Sequence, residues 1–148
     1  MKAEKNLTTE RSVLINADAT SVWDVLTSPD KIKVYLFNSE TKTDWKVGSP
    51  VTFSRMSGGK EYVDKGKILE VVPQKLLKFS YFSSQEGYAD IPANYSTITY
   101  RLEKENDKSI KLTYRREHIP IEFEQKNQEK FLPGMLENIK KLAEEMDH

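Results

Sequence analysis

After a polar start and two short helical stretches, most of this chain alternates apolar and polar residues with a period of two, and it returns to helical spacing only at its C-terminal end. Over 8–15, Arg11, Val13 and Ile15 fall on one side and Glu10, Ser12 and Leu14 on the other, which predicts a half-buried strand with one apolar residue out of phase. Asp18 then offers a carboxylate to cap a helix whose apolar face is Val22, Trp23, Val25 and Leu26. At Ser28-Pro29 a second helix begins, with serine as N-cap and proline at the first helical position, where its missing N–H removes no hydrogen bond. Helices are expected over 19–27 and 29–36.

Strands and turns follow. Short runs over 41–44 and 51–56 flank Val47-Gly48-Ser49-Pro50, and Val51, Phe53 and Arg55 share a face. Ser57-Gly58-Gly59 reads as a tight hairpin, since glycine accepts the positive φ such turns need. A long strand over 60–72 carries Gly66, a signal of a bulge or sharp bend. Leu77, Phe79 and Tyr81 mark a strand over 76–82, a loop of about ten residues carries Gly87 and Pro92, and runs over 95–103 and 109–117 form a hairpin across Asn106-Asp107. Finally Phe131, Met135, Ile139, Leu142 and Met146 recur at intervals of three and four. Pro133-Gly134 interrupts this stripe, so the helix either starts near Glu124 and kinks there or starts at Pro133.

The order β-α-α-β6-α predicts an α+β domain over 8–148, preceded by a loose polar tail over 1–7. Strands joined by hairpin-sized turns must run antiparallel, because a parallel return needs a crossover of about a dozen residues. The amphipathic C-terminal helix is the one element long enough to cover the apolar face, so a six- to seven-stranded curved sheet is expected to wrap around it. A chain of 148 residues buries roughly 70% of its unfolded surface, enough for a core with a hollow in it.

Charge changes this picture little. Lysine plus arginine balances aspartate plus glutamate, 23 against 23, and no basic excess points to nucleic acid. Lys108, Lys111, Arg115 and Arg116 are interleaved with acids and read as a solvated strand surface. Asp44, Asp64, Asp90 and Glu61 read as caps, turn formers and edge charges. Cysteine is absent, which excludes disulfides, thiol nucleophiles and thiolate metal sites, and a cytoplasmic protein without a membrane span is expected.

Candidate chemistry is sparse. His148 ends the chain, and His118 stands without a nucleophile-elbow motif nearby, so it reads as a turn residue at the end of the last strand. Neither a histidine metal set nor a phosphate-cradling glycine loop is evident, and no catalytic residue, metal or cofactor is assigned. The aromatic residues say more. Tyrosines outnumber phenylalanines, 7 to 6, and they spread over nearly every inward-facing element. A buried tyrosine must satisfy its hydroxyl, so the core is either a filled one with tyrosine tips in solvent or a partly hollow one. In the second case a pocket between sheet and terminal helix is expected, lined by Tyr35, Phe37, Trp45, Phe53, Tyr62, Tyr81, Tyr100, Phe131, Met135 and Ile139.

Several runs carry a family resemblance: Ile15-Asn-Ala17 with Val22-Trp-Asp-Val-Leu-Thr27-Ser-Pro29, the turn Asp44-Trp-Lys-Val-Gly48-Ser-Pro50, and Tyr62-Val-Asp-Lys-Gly66-Lys-Ile-Leu-Glu-Val-Val-Pro73 with Leu76-Leu77. Asp90, Pro92 and Asn94-Tyr95 with Thr97-Ile-Thr-Tyr-Arg-Leu102 extend it. Together they resemble the START-like (SRPBCC) helix-grip superfamily, which includes birch-pollen-type allergens and polyketide cyclases, and within it the bacterial branch named after the activator of heat-shock protein 90 ATPase. Two stretches depart from the branch's pattern. Where it usually has a Gly-Trp pair opening the last helix, this chain reads Phe131-Leu-Pro-Gly134, and where a tryptophan often follows the second helix it reads Val34-Tyr-Leu-Phe37. The leading reading is a non-enzymatic binding module with its pocket between sheet and terminal helix, whose wall chemistry fits a small apolar or lipid-like molecule. Alternatives are a chaperone-interacting domain and a cyclase- or hydrolase-like enzyme using a cavity carboxylate or tyrosine. A monomer or weak homodimer is expected in each case.

Overall fold

In a computed structural model, residues 7–85 and 87–146 are described. The tail expected over 1–7 lies outside them apart from Leu7, which opens the first strand, and His148 lies outside them too. The chain runs β1 (Leu7–Ile15), α1 (Ala19–Thr27), α2 (Pro29–Tyr35), β2 (Glu40–Lys42), β3 (Pro50–Ser57), β4 (Lys60–Val72), β5 (Leu76–Tyr81), a short turn of 3-10 helix (Pro92–Asn94), β6 (Ser96–Asn106), β7 (Ser109–Ile119) and α3 (Glu122–Met146).

All seven strands form one antiparallel sheet in the order β1-β7-β6-β5-β4-β3-β2. Consecutive strands from β2 to β7 are neighbours, as short turns require, while β1 closes beside β7. The helices α1 and α2 therefore carry the chain from one edge of the sheet to the other, and α3 packs against β1, α1 and α2.

Local chemistry explains the element ends. Asp18 accepts a hydrogen bond from the Ser21 backbone N–H at 2.8 Å and so caps α1. Ser28 holds the N-cap position of α2 without a side-chain bond, leaving Pro29 to fix the first helical φ. The β3–β4 hairpin turns through Gly58 and Gly59, both at positive φ (59° and 80°).

β4 is the strand about which the sheet changes course. Its first part, Lys60–Lys67, pairs with β3, and Ile68–Val72 pairs with β5 with a register shift between Ile68 and Glu70. Gly66 sits at that change because a Cβ there would lie 1.7 Å from the Ser80 carbonyl oxygen.

The terminal helix spans Glu122–Met146 with Pro133 inside it, which decides between the two starts the sequence allows. Pro133 and Gly134 lie on the exposed face, as does Glu129, whose carbonyl loses its N–H donor to the proline, so the apolar stripe is uninterrupted. Leu132, Met135, Leu136, Ile139 and Ala143 are buried in the core, together with Ile15, Val22, Leu26, Ile32, Leu77, Ile98 and Leu112.

Candidate functional site: a cavity with an apolar wall and a charged end

Between the sheet and the first turns of α3 lies a cavity of about 380 Å³, open to solvent on one side. Strand alternation builds its wall: Phe53 on β3, Phe79 and Tyr81 on β5, Ile98 and Tyr100 on β6 and Tyr114 on β7 all project from the same face. The ring of Phe53 lies 5.8 Å from that of Phe79, and Phe79 stacks on Tyr100 at 6.4 Å. Met135 and Phe131 face them from α3, and Leu36 and Phe37 from the chain just after α2. Phe37 has a left-handed backbone (φ 46°), uncommon for a bulky residue, and is 54% exposed at the cavity's edge.

Six of the ten expected pocket residues are thus brought together: Phe37, Phe53, Tyr81, Tyr100, Phe131 and Met135. The other four lie elsewhere. Tyr35 is buried between α1 and the core, with its hydroxyl donating to the Leu26 carbonyl at 3.2 Å. Trp45 turns the chain at φ 62° and packs partly against the core. Tyr62 pairs opposite Arg55 toward the hairpin end of β4, where the Lys60 ammonium and the Arg55 guanidinium lie over its ring. Ile139, a full turn beyond Met135, is sealed in the core with no exposed surface.

The far end of the cavity is charged, and here two expectations from the sequence are overturned. Arg116 is not part of a solvated strand surface: it is 3% exposed and lines the cavity. Its Nε donates to Ser96 Oγ and its Nη1 to Gln128 Oε1, both at 2.8 Å, and its Nη2 donates to Glu124 Oε2. The guanidinium lies 4.9 Å from the Tyr81 ring centroid, a cation–π distance. Glu124, 5% exposed, also accepts from the Tyr88 hydroxyl at 2.7 Å.

Asp64 is likewise no edge charge. At 2% exposure it accepts from Arg55 Nη1 (3.1 Å), the Tyr81 hydroxyl (2.5 Å), and the backbone N–H and hydroxyl of Ser84 (2.9 and 3.2 Å). Both corrections follow from strand parity. Arg116 continues the inward series Ile110, Leu112, Tyr114, and Asp64 shares its side of β4 with Ile68. A buried charge needs a partner, and each of these has one from another strand or from α3.

These surroundings act on the phenols and on Arg116. Burial, and secondarily the Asp64 charge, push the Tyr81 phenol well above the ordinary tyrosine value; burial does the same to Tyr100 and lifts Tyr114 to about 12. Burial works against the charge of Arg116, but Tyr114, Glu124 and Tyr81 outweigh it and hold the group above its usual value. His118 stands outside the cavity on an exposed stretch of β7, at φ 59°.

A curved antiparallel sheet packed around a long C-terminal helix is an architecture this chain shares with known proteins. The family described as Activator of Hsp90 ATPase homolog 1-like protein matches residues 16–146. The chain belongs to this family. The solution structure of ChR145 from Cytophaga hutchinsonii is 34% identical, covers 97% of each chain and superposes with a TM-score of 0.80. The Aha1 dimer from Colwellia psychrerythraea shares the fold at 18% identity and TM-score 0.70, covering 93% of this chain and 96% of that one. PFC0360w, an HSP90 activator from Plasmodium falciparum, shares it at 15% identity and TM-score 0.72, covering 92% and 95%. No curated protein matches the chain. Within this family the two departures noted in the sequence, at Phe37 and Phe131, fall on the same edge of the cavity. Among the described residues no helix is long and apolar enough to cross a membrane.

Proposed function

We propose that this member of the Hsp90 ATPase activator-like family is a non-enzymatic binding module that holds a small, mainly apolar molecule between its sheet and α3. The observation that carries the reading is the cavity itself: a hollow of about 380 Å³ whose lining joins aromatic and aliphatic side chains with polar and charged ones. Ligand sites of this size and composition bury most of a small molecule and orient it by its polar atoms. Met135 suits the role, because a flexible thioether adapts to varied shapes.

Native mass spectrometry of protein purified from its own host tests the reading. A retained small molecule that leaves on unfolding is expected. Protein without any adduct, together with a melting temperature unmoved by apolar dyes, would remove the reading. A ligand at about 100 times its dissociation constant stabilises the fold by about 2.7 kcal/mol if only the folded state binds it, which makes the shift measurable.

A second reading, contact with a heat-shock protein 90 chaperone, is supported by the family match. It would use the module's surface instead of its cavity, and stimulation of the host chaperone's ATPase by this chain alone would favour it.

A further inference from the structure

The charged end of the cavity constrains which molecule could enter it. Four charged residues line the cavity, Arg55, Asp64, Arg116 and Glu124, and they form two pairs, Arg55 with Asp64 and Arg116 with Glu124. Their charges sum to zero. A ligand bringing a net charge to this end would therefore meet no unpaired partner. It would either remain uncompensated in a buried place or have to displace Asp64 or Glu124 from its arginine, and both alternatives are costly.

Hydrogen-bonding capacity points the same way. A carboxylate offers about four acceptor positions, and Asp64 already receives four hydrogen bonds. It has little left for a ligand's donors. By contrast Tyr100 and Tyr114 line the cavity with hydroxyls that make no hydrogen bond among the described residues. The two rings meet edge to face at 5.3 Å. Arg116 spends three of its five N–H donors on Ser96, Gln128 and Glu124. Beside the apolar wall, the two phenols and the spare N–H groups of Arg116 can therefore donate to a ligand.

We propose that the cavity selects an uncharged, mostly apolar molecule carrying a carbonyl-type acceptor, held by the hydroxyls of Tyr100 and Tyr114 on the cavity wall. This deepens the proposed binding function and rests on it. The aromatic wall of Phe53, Phe79 and Phe131 takes the apolar body. A phenol that gains an acceptor from the ligand is satisfied on binding, so the acceptor adds affinity and fixes orientation together.

Three fluorescent probes test this with the wild-type chain: prodan, an uncharged naphthalene carrying one ketone; dimethylaminonaphthalene, its relative without the ketone; and anilinonaphthalene sulfonate, an anion. Prodan is expected to bind tightest, with blue-shifted emission and a one-to-one stoichiometry. Tyr100→Phe and Tyr114→Phe should each weaken prodan by about two- to tenfold, the worth of one hydrogen bond, and leave the ketone-free dye unchanged. Each substitution deletes only a hydroxyl without a protein partner, so thermal melts should find both variants as stable as the wild type.

If the two uncharged dyes bind equally and neither variant alters them, the acceptor inference falls while the binding module stands. If the sulfonate binds tighter than prodan, selection by charge balance is overturned. If no dye binds, the inference and the binding function fall together.

Discussion

Phe37 and Phe131 meet edge to face at the edge of the cavity, with ring centroids 5.2 Å apart and planes at 72°. One follows α2 and the other lies near the middle of α3, so the pair ties the chain after α2 to the gripped helix along the cavity lining. Such a contact is worth about 0.5–1.5 kcal/mol. Since Phe37 is half exposed, Phe37→Ala should cost little global stability while loosening the rim. Release of bound prodan, followed by stopped flow, should quicken by about two- to tenfold, the same energy read as a rate. An unchanged release rate would mean that these rings do not gate the cavity.

Met135 and Ile139 lie one turn apart on α3 and should respond in opposite ways. Met135 faces the cavity, so Met135→Trp should fill it, abolish dye binding and preserve a cooperative melt. In a solid core the same change would overpack and cost about 1–3 kcal/mol. Ile139 is sealed in the core, so Ile139→Ala should cost about 2–5 kcal/mol with dye affinity in the folded state little altered. Urea denaturation of both variants checks the pair. A loss below about 0.5 kcal/mol for Ile139→Ala, the scale of surface substitutions, would mean that the buried face of α3 is wrongly assigned.

Arg116 and Glu124 form a pair whose members depend on each other. Arg116→Met leaves the Glu124 carboxylate buried without its cation and should destabilise by about 3–5 kcal/mol. Combining it with Glu124→Gln removes the stranded charge and keeps an acceptor for the Tyr88 hydroxyl, so the double variant should recover much of the loss. Purely additive single and double variants in chemical denaturation would show that the pair is not coupled.

Alkali should unfold the protein through its buried phenols. Tyr81, Tyr100 and Tyr114 all have folded-state values raised above the unfolded value, chiefly by burial. Their contribution is fully present below the unfolded tyrosine value near pH ~10 and is lost as pH rises through the folded values. For Tyr114 that window closes at about 12. Phenolate absorbance and far-ultraviolet circular dichroism, followed together above neutrality, should show these phenols ionising along with loss of structure. Full phenolate absorbance with an intact dichroism spectrum would refute the burial of these hydroxyls.

Much of the fold is local and therefore legible in the sequence. The Gly58-Gly59 turn, the Asp18 cap, the Pro29 start and the alternation of Leu77, Phe79 and Tyr81 each depend on residues close in the chain. So does antiparallel pairing, because a short turn leaves a strand no other way to return. Strand parity even holds the signal that Arg116 and Asp64 point inward, although their charge favours a surface reading. A lone charge is expensive to bury, and only a partner offsets that cost. Those partners are remote: Tyr81 lies 17 residues beyond Asp64 in the chain, and Arg55 lies 9 residues before it. Glu124 reaches Arg116 only because α3 turns back after β7 ends at Ile119. Tyr35, Trp45, Tyr62 and Ile139 show the same limit from the other side. Sequence identifies them as aromatic or apolar and inward-tending, but which large side chains touch one hollow depends on sheet curvature and helix placement. Composition and periodicity determined the elements and their apolar faces; only the tertiary structure decided where the packing leaves a gap, because a void is bounded by many long-range contacts and belongs to no single segment.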